Sequence, residues 1–188
     1  QPDCKKDVVA CYTKYVKSFV VDNNGDKKQV KDSPEKISLE KQFEKKAAQR
    51  NYPVFTKVIN GKVSAYCIPI VGKGLWSTLY GYLALKDDVN TVLGMTFYKH
   101  AETPGLGAEI EQKWFLDNFK GKKIFDANGK LVSIKVIKGK VDPKMKDIEH
   151  KVDGISGATL TADGVTDLLK KSLSAYEPYF TFLKKEKK

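Results

Sequence analysis

Residues 54–71 read Val-Phe-Thr-Lys-Val-Ile-Asn-Gly-Lys-Val-Ser-Ala-Tyr-Cys-Ile-Pro-Ile-Val. Two runs rich in β-branched residues, 54–59 and 63–71, flank Asn60-Gly61. Asn-Gly tolerates the two positive φ angles of a tight hairpin turn, so the runs are expected to pair as antiparallel strands. Downstream, 80–86 and 92–100 are strand-like and are joined by Asp87-Asp88-Val89-Asn90. Upstream, 15–21 reads as a strand stopped by the turn cluster Asp22-Asn23-Asn24-Gly25. Residues 123–127 and 130–137 flank a second Asn-Gly pair, Asn128-Gly129. Helical spacing appears in three places. Ser33-Pro34-Glu35 suits a helix start, followed by Leu39, Phe43 and Ala47 on one face, with Pro53 breaking that helix. Residues 107–119 form a second helix with Ile110, Trp114 and Leu116 as core candidates. Residues 162–182 carry Val165, Leu168, Leu169, Leu173, Tyr176 and Phe180 at helical intervals. Strands that follow one another through hairpins, with few helices between them, predict an α+β fold. Its sheet is largely antiparallel, with six or seven strands and about three helices. No G-x-G-x-x-G follows a strand, which disfavours a dinucleotide site of the doubly wound type.

The chain has 188 residues, 41% apolar and 30% charged, a balance suited to one globular domain. Residues 1–51 are expected to form an N-terminal extension, with a strand and a helix packed on a main domain over 52–188. The net charge is +11, and every cation except Arg50 is a lysine. Nucleic-acid readers favour arginine forks, so this bias points toward a solvated face, or toward an anionic surface or partner. No apolar run approaches the ~20 residues of a membrane span. The first residues, Gln1-Pro2, lack an initiator Met, which suggests a missing upstream signal or anchor. Residues 1–12 read as a polar lead-in and 184–188 as a frayed tail. Cys4, Cys11 and Cys67 include no C-x-x-C pair. That excludes a zinc ribbon and a thioredoxin motif, and leaves either a local Cys4–Cys11 disulfide or small apolar fillers. With no G-x-S-x-G, no H-E-x-x-H and only His100 and His150, no catalytic residue and no metal site is proposed.

Two segments are needed for neither a sheet nor a helix, and a third, weaker signal lies at 72–77. His100-Ala101-Glu102-Thr103-Pro104-Gly105-Leu106-Gly107 lies between a strand and a helix. Its glycines permit close approach of backbone to a ligand, although taken alone a strand-to-helix turn closed by Pro-Gly is the simpler reading. Asp153-Gly154-Ile155-Ser156-Gly157-Ala158-Thr159-Leu160-Thr161 opens the last helix. Its small residues leave amides uncovered at the positive end of the helix dipole, which favours a phosphate. A plain N-cap by Thr159 or Thr161 is the simpler alternative. The segment has no Gly-Lys-Ser/Thr, so nucleoside-triphosphate hydrolysis is disfavoured. Gly72-Lys73-Gly74-Leu75-Trp76-Ser77 connects two strands, with Leu75 and Trp76 suited either to packing on a flat ring or to the core.

Taken together, Gly-Lys-Gly-Leu-Trp-Ser at 72–77, Glu-Thr-Pro-Gly-Leu-Gly at 102–107 and Ser-Gly-Ala-Thr-Leu-Thr at 156–161 resemble a known family. It is the covalent FMN-binding domain found in the C subunit of the sodium-translocating NADH:quinone reductase, and the likeness spans roughly residues 52–173. The G subunit of the Rnf ferredoxin:NAD oxidoreductase complex is similar in the 102–107 and 156–161 motifs. The resemblance implies FMN esterified through its phosphate to Thr161. It places Ser156, Gly157, Ala158, Thr159 and Leu160 at the phosphate end. Glu102, Thr103, Pro104, Gly105, Leu106 and Gly107 would lie along the ribityl chain and ring, and Gly74, Leu75 and Trp76 near the isoalloxazine. Asp153 would belong to the pattern read by a flavin transferase. The implied role is electron transfer within a membrane redox complex, with the flavin-carrying B subunit as a neighbour and no nucleic-acid partner. The implied location is the inner membrane, held by a single N-terminal anchor that this chain lacks, with the flavin domain facing the periplasm. Two rivals remain: a noncatalytic lysine-rich binding module, and an enzyme that binds free FMN and turns over alone.

Overall fold

The computed structural model describes residue 4 and residues 6–186. The expectations for residues 1–3, 5, 187 and 188 lie outside that range. In chain order the elements are α1 (Val8–Tyr15), β1 (Val16–Val21), β2 (Lys27–Lys28), α2 (Leu39–Glu44), β3 (Tyr52–Ile59), β4 (Lys62–Lys73), β5 (Thr78–Lys86) and β6 (Val92–Lys99). They continue with α3 (Lys113–Asp117), β7 (Lys135–Val136), β8 (Lys151–Val152) and α4 (Thr159–Glu186). The first six strands make one antiparallel sheet in the order β2-β1-β3-β4-β5-β6. This is the α+β class that the hairpin pattern predicts. At the turn between β3 and β4, Asn60 and Gly61 both take positive φ, 50° and 76°, as a type I′ hairpin requires.

Alternation along β5 sets the two faces of the sheet. Leu79, Gly81, Leu83 and Leu85 point to the buried side, and α4 lies across it. Val165, Leu168, Leu169, Leu173, Tyr176 and Phe180 are all buried there, so the 3.6-residue period is realised as the helix–sheet contact. Polar groups inside this contact are satisfied, as burial demands. The Val71 amide donates to Ser172 Oγ at 3.2 Å, and Tyr176 Oη donates to the Pro53 carbonyl at 2.8 Å. The opposite face carries Phe55, Tyr82 and Tyr98, with Tyr82 and Tyr98 stacked at 5.4 Å.

Several expectations change. Residues 8–15 form a helix, capped by the Asp7 carboxylate on the Ala10 amide, and the first strand begins one residue after Tyr15. A Cys4–Cys11 disulfide ties the start of that helix. The first of the three helical regions splits into a 3-10 turn, Pro34–Lys36, and α2, capped by Ser38. Ala47 therefore sits exposed on a separate turn, and Pro53 lies within β3 instead of ending a helix. The 107–119 region is likewise a 3-10 turn followed by α3. Its core residues are Ile110, Phe115 and Phe119, whereas Trp114 is exposed and donates its indole N–H to Glu109. The second Asn-Gly pair does not close a hairpin of regular strands. The Asp126 carboxylate takes the Asn128 and Lys130 amides, leaving a single antiparallel bridge, Phe125 to Leu131. Past that turn, β7 pairs with β8 in parallel. The last helix starts three residues earlier than expected and runs to Glu186.

Cys67 is the free thiol among the described residues, half-buried, and burial pushes its pKa up to about 11. Thiolate is the reacting form, so at pH 8 a disulfide reagent should label native Cys67 about a hundredfold more slowly than an exposed cysteine. Unfolding in denaturant should restore the ordinary rate, and fast native labelling would contradict the burial.

Candidate functional site

Glu102 joins three loops at one end of the sheet. It follows β6 and is 5% exposed. Its Oε1 accepts from the Trp76 amide at 3.0 Å, the Ser77 amide at 3.0 Å and Ser77 Oγ at 3.1 Å. Its Oε2 accepts from the Leu75 amide at 3.2 Å and from Thr161 Oγ1 at 2.7 Å. The turn between β4 and β5, the 102–107 loop and the first turn of α4 are thus held by one carboxylate. Burial pushes its pKa up, but the bonds from Thr161, Trp76 and Ser77 outweigh that and leave it below the ordinary value. A carboxylate already accepting from five donors is an anchor, with no role as an acid or base.

The glycines of these loops are set by space. A Cβ on Gly74 would lie 2.6 Å from Glu102 Oε1, and one on Gly107 would lie 2.7 Å from Thr161 Oγ1. Either side chain would displace the carboxylate or the hydroxyl. In α4, a Cβ on Gly164 would lie 2.5 Å from the Lys73 carbonyl oxygen. Gly164 therefore sets how closely the helix approaches the 72–77 loop. Gly164→Ala should cost about 2 kcal/mol by overpacking, a fall in Tm of roughly 4–8 °C by calorimetry. An unchanged Tm would show that the helix can withdraw freely.

The sequence-derived candidates separate into a buried frame and an open rim. Glu102, Gly107, Ala158 and Thr161 are buried, and Gly74 is half-buried. Leu75, Trp76, Thr103, Pro104, Gly105, Leu106, Ser156, Gly157, Thr159 and Leu160 are exposed. Trp76 is 71% exposed, which excludes the core alternative for it, and Leu160 is 62% exposed. The loops touch at the rim too, since a Cβ on Gly157 would lie 3.0 Å from the Leu106 side chain. Thr161, expected to carry the ester, is 1% exposed, with its hydroxyl donated to Glu102 and Gly107 set against it. The Glu102 carboxylate is the point on which the three loops converge, and the Thr161 hydroxyl is one of its five donors. The turn beside it, 103–106, is exposed, and the Thr103 carbonyl accepts from the Leu106 amide and from the Ala108 amide of the following 3-10 turn, both at 3.1 Å. Thr159, at the head of α4, presents an open hydroxyl to a cavity of 560 Å³.

That cavity is walled on its other side by residues 135–140, which sequence reading did not connect with the site. No period or motif marks them; the one hint is the glycine between two lysines in Lys138-Gly139-Lys140. Asp153 fastens this wall, accepting from the Val141 amide at 2.8 Å and from Lys140 Nζ at 2.9 Å. Burial raises its pKa, and the Lys140 and Val141 bonds more than reverse the shift. Ser77 was also missed as a site residue, although it supplies two of the donors to Glu102. Among the described residues no group of three or more His, Cys, Asp or Glu is placed to hold a metal, and no helix is long and apolar enough to cross a membrane.

The FMN-binding domain family matches residues 74–174, a span that contains the 102–107 and 156–161 loops and residues 74–77 of the third. The chain is 48% identical over 124 residues to the C subunit of the Na(+)-translocating NADH-quinone reductase of Pseudomonas aeruginosa, covering 66% of this chain and 47% of the relative. It is 45% identical over 131 residues to the same component from Chlamydia muridarum, covering 64% and 41%. The chain thus spans about half the length of the curated relatives it matches. The crystal structure of the corresponding C subunit from Parabacteroides distasonis superposes with a TM-score of 0.80 at 37% identity, covering 94% of this chain and 83% of that one. That of Shewanella oneidensis NqrC gives 0.76 at 32%, covering 98% and 90%.

Proposed function

The chain belongs to the FMN-binding domain family, in the branch of the Na(+)-translocating NADH-quinone reductase C subunits, and on that premise we propose that it carries FMN as a one-electron relay. The flavin is bound covalently, as a phosphoester of Thr161. The domain works as a component of a sodium-pumping NADH:quinone oxidoreductase of the inner membrane, facing the periplasm, beside the flavin-carrying B subunit. A flavin transferase makes the ester. The flavin domain proper begins at Tyr52, with residues 1–51 as an extension of it.

The observation that carries the reading is the convergence of three loops on one buried carboxylate that also accepts from the Thr161 hydroxyl. A buried carboxylate holds them around Thr161, and their outer residues form an open rim. Such a cradle suits a ligand that is polar at one end and flat at the other. At the polar end, the first amides of α4 have no helical partner and carry the positive end of the dipole, which suits a phosphate. An ester removes one phosphate charge, consistent with the absence of lysine between Asp153 and Thr161. At the flat end, Leu75, Trp76 and Leu106 offer apolar surface to a ring, and their exposure is the kind that marks a binding surface. Thr161 is 1% exposed, so attachment requires the residues packed around its hydroxyl to open. The ester removes one donor from Glu102, and the four groups of residues 75–77 keep that anchor in place. The flavin supplies the redox chemistry when bound. Residues of the three loops would hold it, with Leu75, Trp76 and Leu106 exposed beside the buried Glu102 frame.

The test is a denaturing gel of protein produced together with a flavin transferase. Flavin fluorescence should stay with the unfolded band. Flavin released on denaturation would replace this reading with noncovalent FMN binding. A colourless protein that binds anionic surfaces and loses them in salt would replace it with a lysine-rich docking module.

A further inference from the structure

His100 looks like the last residue of a strand, yet its ring is bonded to the backbone of the residue that anchors the site. Its side chain is 10% exposed. The backbone amide of Glu102 donates to His100 Nδ1 at 3.2 Å. An imidazole nitrogen that accepts carries no proton, so the ring proton is on Nε2. There it meets Glu111 Oε2 at 3.1 Å, an acceptor on the 3-10 turn Gly107–Glu111. The adjacent amide, Ala101, donates to Ser77 Oγ at 2.8 Å, and that hydroxyl donates in turn to Glu102 Oε1. Both backbone N–H groups leading into the anchor are therefore bound by side chains.

We infer that His100 is a positioning residue for the flavin loops: with Nδ1 bare and Nε2–H held by Glu111, it fixes the Glu102 backbone so that its carboxylate faces the amides of 75–77 and the hydroxyl of Thr161. Two carboxylates stand near the ring. Glu111 meets it directly, and Glu102 is turned away onto its own five donors. The neighbouring cation, Lys99, lies over the Tyr80 ring at 5.1 Å. His150 has the opposite arrangement, with Nδ1 2.7 Å from the Lys123 carbonyl. A carbonyl only accepts, so His150 carries its proton on Nδ1. The two histidines are expected in different tautomers within one molecule.

The inference rests on the flavin reading only for the purpose of the loops, and flavin-free protein tests it. Long-range ¹H–¹⁵N spectra of the two imidazoles at pH 8 should show His100 protonated on Nε2 and His150 on Nδ1. His100 protonated on Nδ1 would overturn the proposal. The second arm compares variants by amide hydrogen exchange. In His100→Asn the side-chain oxygen can stand where Nδ1 was, whereas in His100→Gln the polar end reaches toward the Nε2 position. Exchange of the Trp76 and Ser77 amides should rise about tenfold in His100→Gln, the scale of one lost hydrogen bond, and less than about twofold in His100→Asn. Equal effects in the two variants would contradict a role through Nδ1. Failure of flavin to attach would remove the electron-carrier reading and leave both of these results as they stand.

Discussion

Glu102→Gln lowers Tm by roughly 6–12 °C, the equivalent of about 3 kcal/mol in a protein of this size. The substitution keeps the shape and removes the charge. Five donors then face an amide with one oxygen and one NH₂ group, so all five lose a charged acceptor and at least two lose their acceptor altogether. A buried donor left unpaired costs more than the bond was worth, because it forfeits water as well. Three loops depend on the same carboxylate, so the loss should show in local exchange at 75–77 and in the global midpoint. The acid response carries a matching sign. The Glu102 pKa is lowered in the folded protein from the ordinary 4.5. Its stabilisation is therefore complete above that value and is lost as pH falls through the lower folded value. Below pH 4.5 the gap in Tm between the parent and Glu102→Gln should narrow. A gap that stays constant down to pH 3 would show that the charge is not what holds the loops.

Thr161→Val abolishes covalent flavin altogether. Valine keeps the volume but offers no oxygen to esterify, and it cannot donate to Glu102, which should also cost about 1–2 kcal/mol in stability. Thr161→Ser restores a hydroxyl at the same position and should recover the attached flavin in part. Thr159→Ala gives the contrasting pattern. Its side chain is exposed at the head of α4, so the parent Tm should be kept to within a few degrees while flavin still attaches. The variants separate two hydroxyls that stand two positions apart in the same turn. Attachment retained in Thr161→Val, and lost in Thr159→Ala, would reverse the assignment.

The sheet was legible because its signals are local. Asn60-Gly61 adopts the two positive φ angles that its residues favour, and the strands on either side pair as their composition indicates. The face of α4 followed from its period. What sequence reading missed depends on distant partners. Asn128-Gly129 carries the same dipeptide, but Asp126 captures the turn amides, and the chain then leaves for a parallel pairing with residues 151–152. Trp114 and Phe115 are adjacent and equally apolar; only the placement of α3 decides that Phe115 goes in and Trp114 stays out. The site was legible as three loops of small residues. Their common centre was not, because a glutamate in a loop gives no sign that it will be buried and bonded to residues 25–27 and 59 positions away. Burial of Thr161 follows from that same bond. Spacing within the motif does not announce it, since Thr159 lies on the same turn and stays open.

Peptide mass mapping of the flavin-loaded protein reaches the attachment itself. Tryptic cleavage after Lys151 and Lys170 isolates residues 152–170, which contain Ser156, Thr159 and Thr161. The account predicts an added mass of one FMN less water on this peptide, localised by fragmentation to Thr161. Unmodified peptide from protein that holds flavin, or the added mass on Ser156 or Thr159, would contradict it.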